Sequence, residues 1–187
     1  METRHPNRRK WLLGFVCLWL AGNGLVGAEK SAGVGEYQVK AAYLYNFTKF
    51  TDWPASAFAS PNAPMVIGIV GEDPFGKTMD DVVSGEIVRD HPLVVKRLRP
   101  DEDLRSCHVL FISRSESKQL PALLEKLKGS PVLTAGDTSD FAEQGGMVNF
   151  LLDQKTVKLE INQAAVEAAG LQISGKLLKL ARIVKSK

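Results

Sequence analysis

Cysteine and histidine are scarce in this 187-residue chain, which has two of the first and three of the second. None stands in a metal-ligand spacing with other Cys, His or acidic residues, so a zinc or iron site has no pattern to rest on. No G-x-S-x-G elbow and no paired-carboxylate pattern is present, which leaves an enzyme poorly supported, and no cofactor or metal is expected. No apolar run approaches the roughly 20 residues that span a bilayer. Charge of one sign is lacking too: 24 Lys+Arg face 21 Asp+Glu, a formal charge of +3. The remaining composition, 44% hydrophobic and 24% charged, excludes collagen-like, low-complexity and disordered classes and fits one globular domain.

The small positive excess sits at the start. Arg4, Arg8, Arg9 and Lys10 precede the apolar run Trp11 to Leu20, which gives way to Ala21-Gly22-Asn23-Gly24 and Val26-Gly27-Ala28. This is the three-part layout of a secretory signal peptide, with the cut expected after Ala28. Residues 1–28 therefore read as an export signal and 29–187 as the working domain. Removal takes four basic residues and one acid, leaving 20 of each. A neutral domain has no basic bias to advertise a phosphate backbone, so no nucleic acid partner is expected. It also keeps a single thiol, Cys107, which cannot close an internal disulfide and reads as a small buried hydrophobe or a redox or intermolecular thiol.

From Tyr37 an apolar stripe at Val39, Tyr43, Phe47 and Phe50 marks a helix face, ended by Pro54. Pro54 to Pro64 reads as a loop. Short β-rich runs then alternate with helical ones: strands at 65–70, 93–98, 109–112 and 132–135, helices at 75–83 and 119–128, and a short helix near 139–144. Residues 147–152 and 156–161 read as an antiparallel hairpin. Two closing helices are expected, one from an Asn162 N-cap to Gly170 and one from Ser174 with Leu177, Leu180, Ala181 and Val184 inward. The fold class is α/β, a single domain with a mixed, mostly parallel sheet, helices on both faces and a terminal antiparallel hairpin.

Gly71-Glu-Asp-Pro-Phe-Gly76-Lys77-Thr78 matches the P-loop pattern between a strand and a helix. Glu72 and Asp73 would set negative charge beside the phosphates, and the neighbouring strand ends in Ser113 where a magnesium-binding Asp is wanted. The segment reads better as a strand-to-helix turn. The aromatics say more. Tyr37, Tyr43, Tyr45, Phe47, Phe50 and Trp53 are six of the eleven aromatic residues after residue 28. Tyr45 and Trp53 fall off the apolar stripe, and with Phe50 they are candidate partner contacts, because aromatic anchors carry interface energy. A rival site for a small ligand lies at the C-terminal ends of the strands, near Gly136, Asp137 and Asn149.

Val39-Lys-Ala-Ala-Tyr-Leu-Tyr-Asn-Phe-Thr-Lys-Phe-Thr-Asp-Trp-Pro54 closely resembles the opening motif of the YfiR-like family of exported bacterial proteins. The match continues through Val70-Gly-Glu-Asp-Pro-Phe-Gly76, Cys107-His-Val-Leu-Phe-Ile112, Thr134-Ala-Gly-Asp137 and Gly145-Gly-Met-Val-Asn-Phe150. It extends to Glu160-Ile-Asn162 and to Ala169-Gly-Leu-Gln-Ile-Ser174 with Lys176-Leu-Leu-Lys-Leu-Ala181. The resemblance implies a periplasmic regulator that represses an inner-membrane diguanylate cyclase, or acts on another membrane sensor protein, and so lowers cyclic di-GMP and biofilm formation. It also implies a homodimer and disulfides. With Cys107 alone after residue 28, an internal redox switch does not carry over.

Overall fold

A computed structural model describes residues 26–187, with side chains from Gly35 onward. The expected export signal falls almost wholly outside the described residues. The first helix, α1 (Val26–Phe50), leads into the two-residue strand β1 (Thr51–Asp52) and a loop with one 3-10 turn. Then come β2 (Met65–Val70), α2 (Lys77–Val83), β3 (Ile87–Val88), β4 (His91–Leu98), β5 (Val109–Ile112), α3 (Leu120–Leu127) and β6 (Leu133–Gly136). The hairpin β7 (Val148–Asp153) and β8 (Thr156–Asn162) follows, then α4 (Gln163–Ala168), β9 (Gln172–Ile173), α5 (Gly175–Leu178) and β10 (Ala181–Val184).

Eight strands form one sheet in the order β10-β8-β7-β6-β5-β2-β4-β3, and β1 pairs with β9 in a small second one. β4, β2, β5, β6 and β7 run parallel, while β3 and β8 turn back as hairpins. The chain goes from β2 out to β4 and returns to β5 on β2's other side. The central β2, Met-Val-Ile-Gly-Ile-Val, is buried along its whole length, as a parallel strand covered on both faces requires. Its odd residues Met65, Ile67 and Ile69 join α1, α2 and Phe111 in one core, while Val66 and Val70 join α3, Leu110 and Cys107 in the other. The mixed, mostly parallel sheet with helices on both faces is thus as the sequence pattern indicates.

Three local expectations are corrected. The buried face of α1 is Lys40, Ala41, Leu44, Phe47 and Thr48, and Val39 stands 44% exposed. The charge on Lys40 hid this face from an apolar count. Residues 139–144 form turns rather than a helix, because Asp140 takes a left-handed φ of 59° that a helix cannot contain. The helix from Ser174 is real, with the Ser174 hydroxyl accepting from the Lys176 N–H, but it stops at Leu178. Residues 181–184 then pair in parallel with β8, so the hairpin is followed by an edge strand.

The β7–β8 hairpin closes through Gln154 and Lys155 at φ 46° and 70°, with Asp153 facing Thr156. Two left-handed residues make a type I′ turn, a geometry suited to Asn-Gly and awkward for long side chains. Replacing Gln154 by Asn and Lys155 by Gly should raise stability by about 1 kcal/mol, the scale of the left-handed penalty removed, in urea denaturation.

Candidate functional site

The parallel strands have two ends, and α1 connects them. Near the C-terminal end, Asp137 follows β6 and is buried, and the fully buried Lys40 ammonium lies 2.5 Å from its Oδ2. Tyr37 donates its hydroxyl to the same oxygen at 2.9 Å, and Glu36, one helical turn before Lys40, is the second carboxylate on the ammonium. Arg114, after β5, reaches Asp137 Oδ1 at 3.2 Å and donates to its backbone carbonyl at 2.9 Å. The ammonium also stands 4.3 Å above the Tyr37 ring, a cation–π contact. Burial, and then the Asp137 carboxylate, push the Tyr37 phenol well above its ordinary range, so it stays a donor. With two carboxylates, two cations and a phenol in mutual contact, this cluster fastens α1 to the sheet, Asp137 Oδ1 facing Arg114 as an ion pair without a hydrogen bond.

At the opposite end lies a more open arrangement. A cavity of about 590 Å³ is lined by Trp53, Phe58, Met65, Arg89 and His91 together with small loop residues. The prolines at 54, 61 and 64 hold this loop off regular structure, so its aromatic side chains lean on the starts of β2 and β4. Phe58 stacks on His91 at 3.9 Å and on His108 at 4.5 Å between ring centres, and Trp53 meets His108 edge-on at 6.2 Å. Arg89, on the β3–β4 turn, holds Asp52 at 2.5 Å at the cavity's edge. The indole N–H of Trp53 is buried and has no hydrogen-bond partner, as has Nε2 of His108. His108 Nδ1 accepts the Val66 N–H at 3.1 Å, which places the ring's proton on Nε2. Burial, helped by the nearby His91 and opposed by the Ala57 carbonyl, pulls the His108 pKa down to about 4. It is a neutral, aromatic floor next to the cavity.

The residues singled out from the sequence are distributed as follows. Trp53 lines the cavity. Tyr45 is half-buried, donating its hydroxyl to Glu86 with the Lys49 ammonium 4.1 Å above its ring, and Phe50 is half-buried against the core. Gly136 and Asn149 face each other across β6 and β7. Asp137, one residue on, sends its carboxylate to α1, while the Asn149 amide donates to Glu160 at 2.9 Å on the opposite face. These three line neither the cavity at Trp53 nor the ones of about 390 and 330 Å³ elsewhere. Cys107 is buried in the α3-side core, and burial raises its thiol to about 11, so it carries almost no thiolate. Phe58, His91 and Arg89 were not visible as a group, Phe58 lying 33 residues from His91 along the chain and being brought to it only by the loop. Lys40 carried one signal, its i,i+4 spacing from Glu36.

The P-loop look-alike resolves in the same way. The Asp73 carboxylate accepts from the N–H groups of Phe75 and Gly76 at 2.7 and 3.2 Å, and the Glu72 N–H donates to Ser115. The N–H groups that would cradle a phosphate are turned to the chain's own oxygens. Lys77 pairs with Asp81 on the exposed side of α2.

A family profile described as YfiR/HmsC-like matches residues 37–182. No curated protein matches. Among solved structures, the ABC domain from Streptococcus pneumonia in complex with L-Trp is similar, with a TM-score of 0.53 and 13% identity over 80% of this chain. This chain spans 60% of that one's length, and at such identity the likeness is one of fold.

Two measurements probe this geometry. Lys40→Met should cost roughly 3 kcal/mol, the low end for breaking a buried ion pair because Arg114 and Tyr37 still hold Asp137. In the double variant with Asp137→Asn, much of that loss should be absent, giving a non-zero coupling in a denaturation cycle. For His108, a folded pKa of about 4 lies below the ordinary 6.5, so the unfolded chain gains a proton first as pH falls. Stability should therefore drop by about 3 kcal/mol between pH 6.5 and 4 from this group, and His108→Gln should flatten that part of the profile.

Proposed function

The chain belongs to the YfiR/HmsC-like family, and on that premise we propose that it is a periplasmic regulatory protein that binds and represses an inner-membrane diguanylate cyclase through its periplasmic sensory domain. In this reading residues 1–28 are a cleaved export signal, the domain performs no catalysis, and its loss raises cyclic di-GMP and favours biofilm. Among the described residues no helix is long and apolar enough to cross a membrane, and in this reading the cyclase is the membrane component.

The observation that carries the proposal is Trp53. Its ring walls an open, largely apolar cavity while its indole N–H is buried without an acceptor. Leaving such a donor unpaired costs on the order of 1–3 kcal/mol, which a partner recovers by turning the ring so that the N–H meets an acceptor. Buried aromatic anchors in pockets of this kind dominate interface energies. Tyr45 and Phe50, the other two candidate contacts, do not line this cavity, and the Tyr45 hydroxyl is already held by Glu86. A second reading draws on the cavity's size of about 590 Å³, ample for a metabolite: a periplasmic small-ligand sensor subunit acting on another membrane signalling protein.

Trp53→Ala should abolish co-purification with the cyclase and raise cellular cyclic di-GMP to the level of a deletion strain, with the circular dichroism spectrum unchanged. Repression that survives in a folded Trp53→Ala protein sinks the assignment of this surface. Thermal stabilisation by a metabolite in the absence of the membrane partner would favour the second reading.

A further inference from the structure

The sheet's two edges are finished differently. At one, β3 has two residues and closes on β4 by a tight turn, β4 carries Pro92, and Arg97 is tied to Asp73 and Asp80. Pro92 removes a ladder donor from this edge, and the Arg97 guanidinium is already paired, so little is left there to select a partner strand. At the other edge, β10 pairs with β8 alone and contains no proline or glycine. Ile183 within it is 49% exposed, and Leu180 just before it 65%. An edge strand holds out a row of N–H and C=O groups that only another extended backbone satisfies in register.

The charge around this edge is of one sign. Residues 174–187 contain Lys176, Lys179, Arg182, Lys185 and Lys187 and no acid. Arg182 is matched by the buried Glu160, and Lys187 by Asp140 and Glu143. Lys176, Lys179 and Lys185 are exposed and make no ion pair among the described residues. Strand alternation puts Arg182 and Val184 on one face of the edge and Ile183 and Lys185 on the other. Each face thus offers an apolar side chain next to a base.

We propose that β10 is a docking edge for an acidic β-strand of a partner protein, which joins the sheet as its ninth strand. The backbone geometry calls for a strand, and the bases select one that carries carboxylates as well as apolar side chains on both faces. A second copy of this chain fits poorly, since antiparallel pairing about Arg182 sets Arg182 against Arg182 and Lys179 against Lys185. The edge is built from different elements than the Trp53 cavity, so either surface can fail without the other.

The probe is a cyclised β-hairpin peptide whose free edge strand reads Glu-Glu-Val-Val-Glu-Glu, added to the purified protein while amide exchange is followed by NMR. Slowed, saturable exchange confined to residues 181–184 and their neighbours is expected. Affinity should fall at least tenfold in Lys179→Glu/Lys185→Glu, and a Lys-Lys-Val-Val-Lys-Lys hairpin should not protect the edge. The acidic hairpin with N-methylated edge amides should lose binding too, which separates strand pairing from charge attraction alone. No protection of residues 181–184, equal protection by the basic or N-methylated hairpin, or unchanged affinity in the charge-reversed protein overturns the proposal. So does a dimer in sedimentation that Ile183→Lys dissociates, because the edge would then belong to a second copy.

Discussion

The buried pair between Lys40 and Asp137 sets how the first helix lies on the sheet, and the placement of the Trp53 cavity follows from it. An ammonium with no solvent exposure has a narrow choice of positions, because each carboxylate it loses leaves an unpaired charge in a low-dielectric site. Holding Lys40 at Asp137 fixes the rotation of α1, sending Ala41, Leu44 and Phe47 into the core and Val39 out to solvent. Phe47 then stacks at 5.9 Å on Phe150, and Tyr43 at 6.3 Å on Phe47. Ten residues on from Lys40, about 15 Å along a helix, the chain reaches the other end of the strands. There the Phe50 carbonyl accepts the Ser174 N–H at 2.8 Å and Thr51 pairs with Ile173, so Trp53 emerges at a fixed point. An ion pair at one end of the sheet thereby positions an aromatic side chain at the other.

The same economy of charge runs through the α2 side. Asp73 caps the turn after β2, Arg97 joins Asp73, Asp80 and the Gly76 carbonyl, and Arg97 in turn holds the Asp80 carboxyl below its usual range. A motif that matches a nucleotide loop letter by letter is consumed by internal contacts, since the acid at its third position does the work a phosphate would do. Pattern matching counts residue types, whereas the function depends on which way the N–H groups point.

Most of the sheet is legible in the sequence because parallel strands buried on both faces give short apolar runs, as at 65–70 between Pro64 and Gly71 and at 109–112. What is illegible fails for particular reasons. Lys40 breaks the apolar face of α1 precisely where that face matters most to the fold, so the count drifts to Val39, which is exposed. Leu177, Leu180, Ala181 and Val184 fit a helical period, yet four residues cannot distinguish periods, and the open edge of β8 recruits 181–184 into the sheet. Of the candidate contacts, Trp53 could be named from its place off the stripe, but Phe58, His91 and His108 are gathered from three segments by a proline-bounded loop. Nothing local in those segments encodes that meeting.

The two surfaces proposed for binding are firm but unfinished, and they are unfinished in different ways. At Trp53 the aromatic walls are pinned by the core while one buried donor has no acceptor. At β10 the deficiency is in the backbone, one side of a strand, and only another strand repairs it. The first kind of contact selects by shape and a single hydrogen bond, the second by register and charge. Because both rest on the sheet that Lys40 and Asp137 lock to α1, rigidity is already provided before a partner arrives, and less of the binding energy is lost to ordering the surface.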